Sequence, residues 1–281
     1  MHYRRVIATI FTFLGFLLPA NALCEEKPLW ELGVGAAFLR MPDYRGSDEN
    51  RLYLLPYPYL IYRGDILNID KDRISGRIFK SDLILFDVSF YGAVPVRSSH
   101  NTARSGMQDL DPTFECGPSL KITLLNNPQE KYKLNLSLPV RAVFSTDFSS
   151  VYHVGWVFNP RLIFEKNDFI SGTGLNLGIS AGPMFADSDY NSYYYSVDPM
   201  YATAVRPPYS ARGGYGGSTL TVGLNKGYKQ LVFNAFVSMD FLRGAVFEDS
   251  PLVKTKHSVM SGFTVSWIFY KSAQKAVAEE K

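Results

Sequence analysis

The feature that most constrains this chain is a period of two. Between Tyr132 and Phe144, the residues Tyr132, Leu134, Leu136, Leu138, Val140, Ala142 and Phe144 interleave with Lys133, Asn135, Ser137, Pro139, Arg141 and Val143. Successive side chains leave a β-strand in opposite directions, so one face is apolar and the other mostly polar. The pattern recurs with Leu175, Leu177, Ile179 and Ala181. It appears again with Trp30, Leu32, Val34, Ala36 and Phe38, and with Val259, Phe263, Val265, Trp267 and Phe269. A strand in a soluble sandwich usually runs about 5–6 residues, whereas a tilted strand crossing a bilayer needs about 9–11. These runs are of the longer kind, and the residues facing away from the apolar side are small or polar. An antiparallel transmembrane β-barrel is therefore expected, apolar toward lipid and polar toward the lumen.

Connection lengths give an independent test. The expected strands are 29–40, 52–62, 65–71, 74–80, 83–94, 114–125, 131–144, 153–165, 170–184, 214–225, 229–242 and 257–270. Their connections alternate short and long, as outer-membrane barrels alternate periplasmic turns with outer loops. The count is about twelve strands, and the hairpin 65–71/74–80 is its weakest part. Pro56 and Pro58 share one face of their strand and each removes a ladder donor, so that strand should be distorted or locally unpaired. The longest connection, 185–213, carries six of the eighteen tyrosines, which suit a membrane interface because the ring is apolar and the hydroxyl wet.

The N-terminus reads as an export signal. MHYRR is basic, Val6 to Leu18 is an apolar run too short to span a bilayer, and Ala20-Asn21-Ala22 is a cleavage pattern, placing cleavage after Ala22. Leu23 before Cys24 argues against lipid attachment, which needs a small residue there. The expected organisation is a signal peptide at 1–22, a barrel at 23–270 and a polar periplasmic tail at 271–281, in the outer membrane of a Gram-negative cell. Two of the net +3 charges, Arg4 and Arg5, leave with the signal. The remainder is too balanced for a nucleic-acid binder. Cys24 and Cys116 are the two cysteines. They either pair or stay as thiols, and no metal spacing or cofactor motif accompanies them.

Candidate chemistry is sparse. His153 lies near Asp147, Ser149 and Ser150, a composition that permits a hydrolytic Ser-His-Asp group only if geometry assembles it. His100 and His257 sit on other loops or strand ends. The acidic pairs Glu248-Asp249 and Asp109 with Asp111 read first as solvated loops. Arg40, Arg45, Arg51, Arg97 and Arg104 suit lipopolysaccharide phosphates, and solubility explains them equally well. Arg141, Asp87, Asp240 and Tyr91 are expected inside the barrel.

Three stretches carry a resemblance. MPDYRGSDEN, with Pro42, Tyr44, Gly46 and Ser47, resembles the P-x-Y-x-G-S segment of the MipA/OmpV family. YYYSVDPMYATAVRPPYSARGGYGG, with Tyr194, Tyr195, Gly213 and Gly214, resembles its tyrosine-to-double-glycine region, with Ser196 where the family usually has Gly. FLRGAVFEDSPLVKTKHSVMSGFTVSWIF resembles its segment around Ser250, Pro251, Leu252 and Val253, ahead of the closing aromatics Trp267 and Phe269. The order and extent match over essentially the whole mature chain. The extension after Tyr270 departs from barrels that end on a closing aromatic. The resemblance implies a non-enzymatic outer-membrane protein in contact with lipid and lipopolysaccharide. It further implies a scaffold joining a murein lytic transglycosylase to a murein synthase, with no catalytic residue and no cofactor. A narrow pore for small solutes and an outer-membrane lipid hydrolase are the alternatives.

Overall fold

The computed structural model describes residues 28–64, 67–70, 73–76, 79–81 and 83–276. The segment 1–22 expected as a signal peptide, Cys24 and the last five residues lie outside them. Fourteen strand segments form one antiparallel sheet. They are β1 (Trp30–Pro42), β2 (Asn50–Arg63), β3 (Leu67–Asp70), β4 (Arg73–Gly76), β5 (Phe79–Lys80), β6 (Ile84–Ala93), β7 (Thr113–Asn127), β8 (Tyr132–Thr146), β9 (Val151–Phe158), β10 (Arg161–Lys166), β11 (Leu175–Ala186), β12 (Gly214–Tyr228), β13 (Leu231–Phe241) and β14 (His257–Lys271). β14 pairs with both β13 and β1. β4 pairs β3 and lies alongside β6, so the strands come round to themselves as a barrel. Counting β4 with β5, and β9 with β10, as single traverses gives twelve passes.

Two expected strands are altered for local reasons. The run 153–165 is broken at Asn159-Pro160, where proline cannot donate to the ladder. The Asn159 side chain bridges the break by donating to the Pro183 carbonyl at 2.9 Å. The run 170–184 begins only at Leu175, because residues 167–174 form a braced turn. At the other end of the chain, Ser272 and Gln274 still bond to Trp30 and Leu29, so the closing strand is tied to the first beyond Lys271.

The side-chain pattern follows the expected inversion. In β14, Val259, Phe263, Trp267 and Phe269 are exposed on the outer surface while Ser258 and Ser266 are buried. In β8, Asn135, Ser137, Arg141 and Ser145 point inward and are buried. Inside, polar groups satisfy one another. Asn176 donates to Asn225, Asn225 to Asn234 at 2.5 Å, and Asn234 to Thr264 at 2.9 Å, forming a belt across four strands. Arg141 pairs with Glu115 at 2.7 Å and Arg63 with Glu31 at 2.7 Å. A charge turned away from bulk water is tolerable when paired and hydrogen-bonded in this way.

The barrel has a turn end, with connections such as Asn127–Lys131 and 229–230, and a loop end, with the long connections 43–49, 94–112, 187–213 and 242–256. The longest of these departs from expectation. It opens on a helix, α1 (Ser188–Tyr195), capped by the Asp187 carboxylate accepting from the Tyr190 amide. α1 packs on β9 at Gly155, whose φ of +129° suits glycine and where a Cβ would lie 2.3 Å from the Asp187 carboxylate.

Candidate functional site

The loop end is closed by a cap with its own hydrophobic core. Tyr44, Val96, Leu110, Tyr195, Val197, Leu242, Phe247 and Leu252, from four different connections, form one buried cluster. The Tyr195 and Phe247 rings stack with centroids 3.7 Å apart, and Tyr44 meets Tyr195 edge-on at 6.4 Å. The tyrosines of the long loop are therefore core residues of the cap, which corrects the expectation that they line a membrane interface. Their apolar rings find more burial against the other loops than an exposed loop would give.

The three family-like segments converge here. The Tyr44 hydroxyl donates to the Leu252 carbonyl at 2.8 Å, Tyr195 to the Arg45 carbonyl at 3.1 Å, and Ser250 to the Tyr195 carbonyl at 2.7 Å. The Gly46 carbonyl accepts from the Lys254 and Thr255 amides. Its φ of +93° and the nearness of Leu242 and Val253 to any added Cβ make glycine the fitting residue. Asn101 donates to Asp43 and to Ser47, tying the second long loop to the first. Pro42 ends β1 opposite Asn50, and Gly214 opens β12. Ser196, where the family usually has Gly, accepts from the Ala211 amide at 2.9 Å, so the departure adds a tie within the loop. Burial holds the Tyr44, Tyr194 and Tyr195 phenols well above their ordinary pKa, and pushes Tyr193 up to about 12.

Arginines expected to face lipopolysaccharide divide into two groups. Arg45 turns into the barrel, pairing with Asp240 at 3.0 Å and donating to the Gly216 carbonyl at 2.9 Å. Arg104 is buried and donates to the Tyr194 carbonyl. Neither is turned to an outward phosphate, because Arg45 is spent on strand groups inside the barrel and Arg104 on a carbonyl inside the cap. Arg51 pairs with Asp43, while Arg40 and Arg97 stay exposed. The acidic residues act as turn braces: Asp109 accepts from the Ser98 amide and hydroxyl, and Glu248 from the Gly244 amide.

The His-Ser-Asp grouping is not assembled. The His153 ring packs against Phe144 and Trp156. Asp147 instead accepts from the Ser149 and Ser150 amides, closing a turn. His257 packs on Phe241, and the His100 carbonyl accepts from Arg51. Among the described residues no group of three or more His, Cys, Asp or Glu could hold a metal. Cys116 is a free thiol.

A second ordered feature stands at the turn end. Asp168 accepts from the Gly172 and Gly174 amides at 3.0 and 2.8 Å and from Lys131 at 3.1 Å. The Asn167 amide donates to the Lys131 carbonyl. Two neighbouring turns are thereby locked together, and they present Phe169 and Ile170, 47% and 48% exposed. The backbone amides and Lys131 lower the Asp168 carboxyl to about 2. Sequence reading passed over this turn; its one signal is an aspartate followed by two closely spaced glycines.

A lipid-facing wall, a paired polar lumen, short turns at one end and long loops at the other define an outer-membrane β-barrel protein. The family model for MltA-interacting protein MipA matches residues 34–269, and the chain belongs to that family. No curated protein matches it. Among solved structures it is similar to an outer membrane channel from Pseudomonas putida F1 (11% identity, 90% of this chain and 99% of that one, TM-score 0.43). It is also similar to outer membrane phospholipase A from Escherichia coli (9% identity, 90% and 96%, TM-score 0.37). Neither likeness bears on activity.

Proposed function

We propose that this barrel is a non-enzymatic anchor in the outer membrane, with its turn end in the periplasm, that holds a murein lytic transglycosylase and through it a murein synthase. The observation that carries the reading is the braced pair of turns around Asp168. A rigid loop that projects two adjacent apolar side chains beyond the strands is a preorganised contact, and apolar anchors on a rigid support supply most of the energy in protein interfaces. The family's description, MltA-interacting protein, points the same way. Two further facts support it over the alternatives. Four loops at one end pack on a single buried core where a solute pore would need an open mouth, and His153 and Asp147 engage other groups than the triad a hydrolase would need.

The test is binding of the purified lytic transglycosylase to the refolded barrel in nanodiscs. Saturable binding is expected, and the double variant Phe169→Glu/Ile170→Glu should weaken it at least tenfold. Phe148→Glu, a control at the loop end, should leave it unchanged. Absence of saturable binding, or equal loss from both variants, refutes the proposal, and stable open levels in planar bilayers would favour a pore instead.

A further inference from the structure

The β12–β13 hairpin gathers cationic and aromatic groups at the turn end. Tyr228 pairs with Leu231, so Lys229 and Gln230 make the turn. Lys229 has a φ of +54°, a conformation that glycine and asparagine adopt more readily than lysine. Its ammonium folds back over the Tyr228 ring, 5.4 Å from the centroid. The Gln230 side-chain carbonyl accepts from the Trp267 indole at 3.2 Å, and its main-chain carbonyl from the Ile268 amide at 2.7 Å. That fixes Gln230 and keeps its side-chain NH2 as a donor. A lysine held where the backbone favours other residues points to its charge, and not the turn, as what the position serves.

These groups stand on the lipid-facing side of the wall. Lys226 and Tyr228 leave β12 on the same face as Val222 and Leu224, which are each 39% exposed. Lys226 lies between Leu175 of β11 and Phe233 of β13. A lysine in that setting lays its stem along the apolar neighbours and lifts its ammonium to headgroup level. Trp267, paired with Leu231, and the Trp30–Tyr270 stack at 4.9 Å mark the level as the aromatic belt of a membrane interface. Lys226 is two residues from Tyr228 on one face, about 7 Å along the strand, so Lys226 and Lys229 flank the Tyr228 ring.

The sequence supplies no acid to this sector of the wall. Residues 199–239 contain neither Asp nor Glu. The flanking strands β11 and β14 carry none either. Elsewhere at the turn end lysines face carboxylates: Lys131 pairs with Asp168 at 3.1 Å, and Lys166 lies 4.0 Å from Glu130. The hairpin therefore presents a local positive charge at the depth where lipid phosphates lie. Continuity with the lipid-facing wall makes a lipid, and not a soluble anion, its fitting partner.

We propose that Lys226, Tyr228, Lys229 and Gln230 form a site for an anionic phospholipid of the leaflet at the turn end. The two ammoniums and the Gln230 NH2 hold its phosphodiester, and its acyl chains lie along Leu175 and Phe233. A zwitterionic headgroup brings its own cation to the two lysines, so the site prefers phosphatidylglycerol to phosphatidylcholine. This inference is independent of the anchoring role.

Native mass spectrometry of the barrel, released from vesicles holding equal amounts of the two lipids with matched chains, tests it. The unaltered barrel should retain phosphatidylglycerol over phosphatidylcholine by about threefold or more, and Lys226→Gln/Lys229→Gln should lower that ratio by about half or more. Arg212→Gln/Lys254→Gln removes the same charge at the loop end and should leave the ratio unchanged. Lys229→Asn is the sharper variant. Asparagine suits the turn, so heat-modifiable migration should persist while the ratio still falls. A smaller preference in the unaltered barrel, equal loss from both double variants, or an unchanged ratio in Lys229→Asn overturns the proposal. So does displacement of the lipid by soluble glycerol phosphate at equal concentration, which would mean that phosphate alone is recognised.

Discussion

The wall and the cap of this barrel bury apolar surface in opposite directions. In the wall, Val259, Phe263 and Trp267 face outward and the interior is a belt of amides and hydroxyls. In the cap, Tyr195, Phe247 and Leu252 face inward on one another, as in a soluble domain. The difference follows from solvent. Lipid contacts the wall, so apolar groups gain nothing by hiding and backbone groups must all be paired. Water contacts the cap, so burying rings and aliphatic chains is what holds it.

The comparison is broken most strongly by removing a cap anchor. Phe247→Ala should cost about 3–5 kcal/mol within the cap. Proteolysis of residues 187–213 should quicken while heat-modifiable migration of the barrel persists. If the barrel also fails to fold, cap and wall are one cooperative unit.

Next is the wall. Val265→Arg places a charge against lipid and should cost about 2–4 kcal/mol, with Thr264→Arg, facing the lumen, costing well under half of that. The folded fraction in vesicles measures both, and equal losses would mean that the register is wrong. Ser266 would be a poor lumen control, because it is fully buried beneath Tyr57.

A smaller effect sharpens the picture of how the cap is tied. Ser250→Ala removes the bond to the Tyr195 carbonyl and should destabilise the cap by about 1–3 kcal/mol, since a buried acceptor is left unmatched. Hydrogen exchange of the 187–213 segment should show it, with no change in the strands.

Titration separates the two ends of the barrel. Burial raises the Tyr193 pKa from 10.0 to about 12, so its contribution is complete below pH 10 and fades as pH rises toward 12. Cap proteolysis should accelerate over that window while the strand signal in circular dichroism holds. The Asp168 brace has the reverse sign. Its folded pKa is lowered from 3.8 to about 2, so its contribution is present above pH 3.8 and is lost as pH falls toward 2. Amides of Gly172 and Gly174 should lose exchange protection there, the smallest effect of the five.

The wall was legible because its code is local. The alternation from Tyr132 to Phe144 fixed the strand and its two faces, strand length and the small polar residues opposite pointed the apolar face to lipid, and the long and short connections fixed the count. Strand breaks were less so: Pro160 was visible as a residue, but not that the Asn159 side chain would span the interruption. The motif residues Tyr44, Tyr195 and Ser250 were picked out, although nothing in their spacing said that they touch.

The sequence by itself determined the period-two pattern, the inverted polarity, the approximate strand number and the family-like segments. Only the tertiary structure decided that Tyr44 would meet Leu252, 208 positions away, that the tyrosine-rich loop would turn inward, and that Pro56 and Pro58 would sit in a strand paired in regular register with β1. The reason is physical. A strand's faces are set by the geometry of adjacent peptides, which every short stretch carries within it. A cap depends on which strands become neighbours and how far each one reaches, and that is fixed only when the barrel closes.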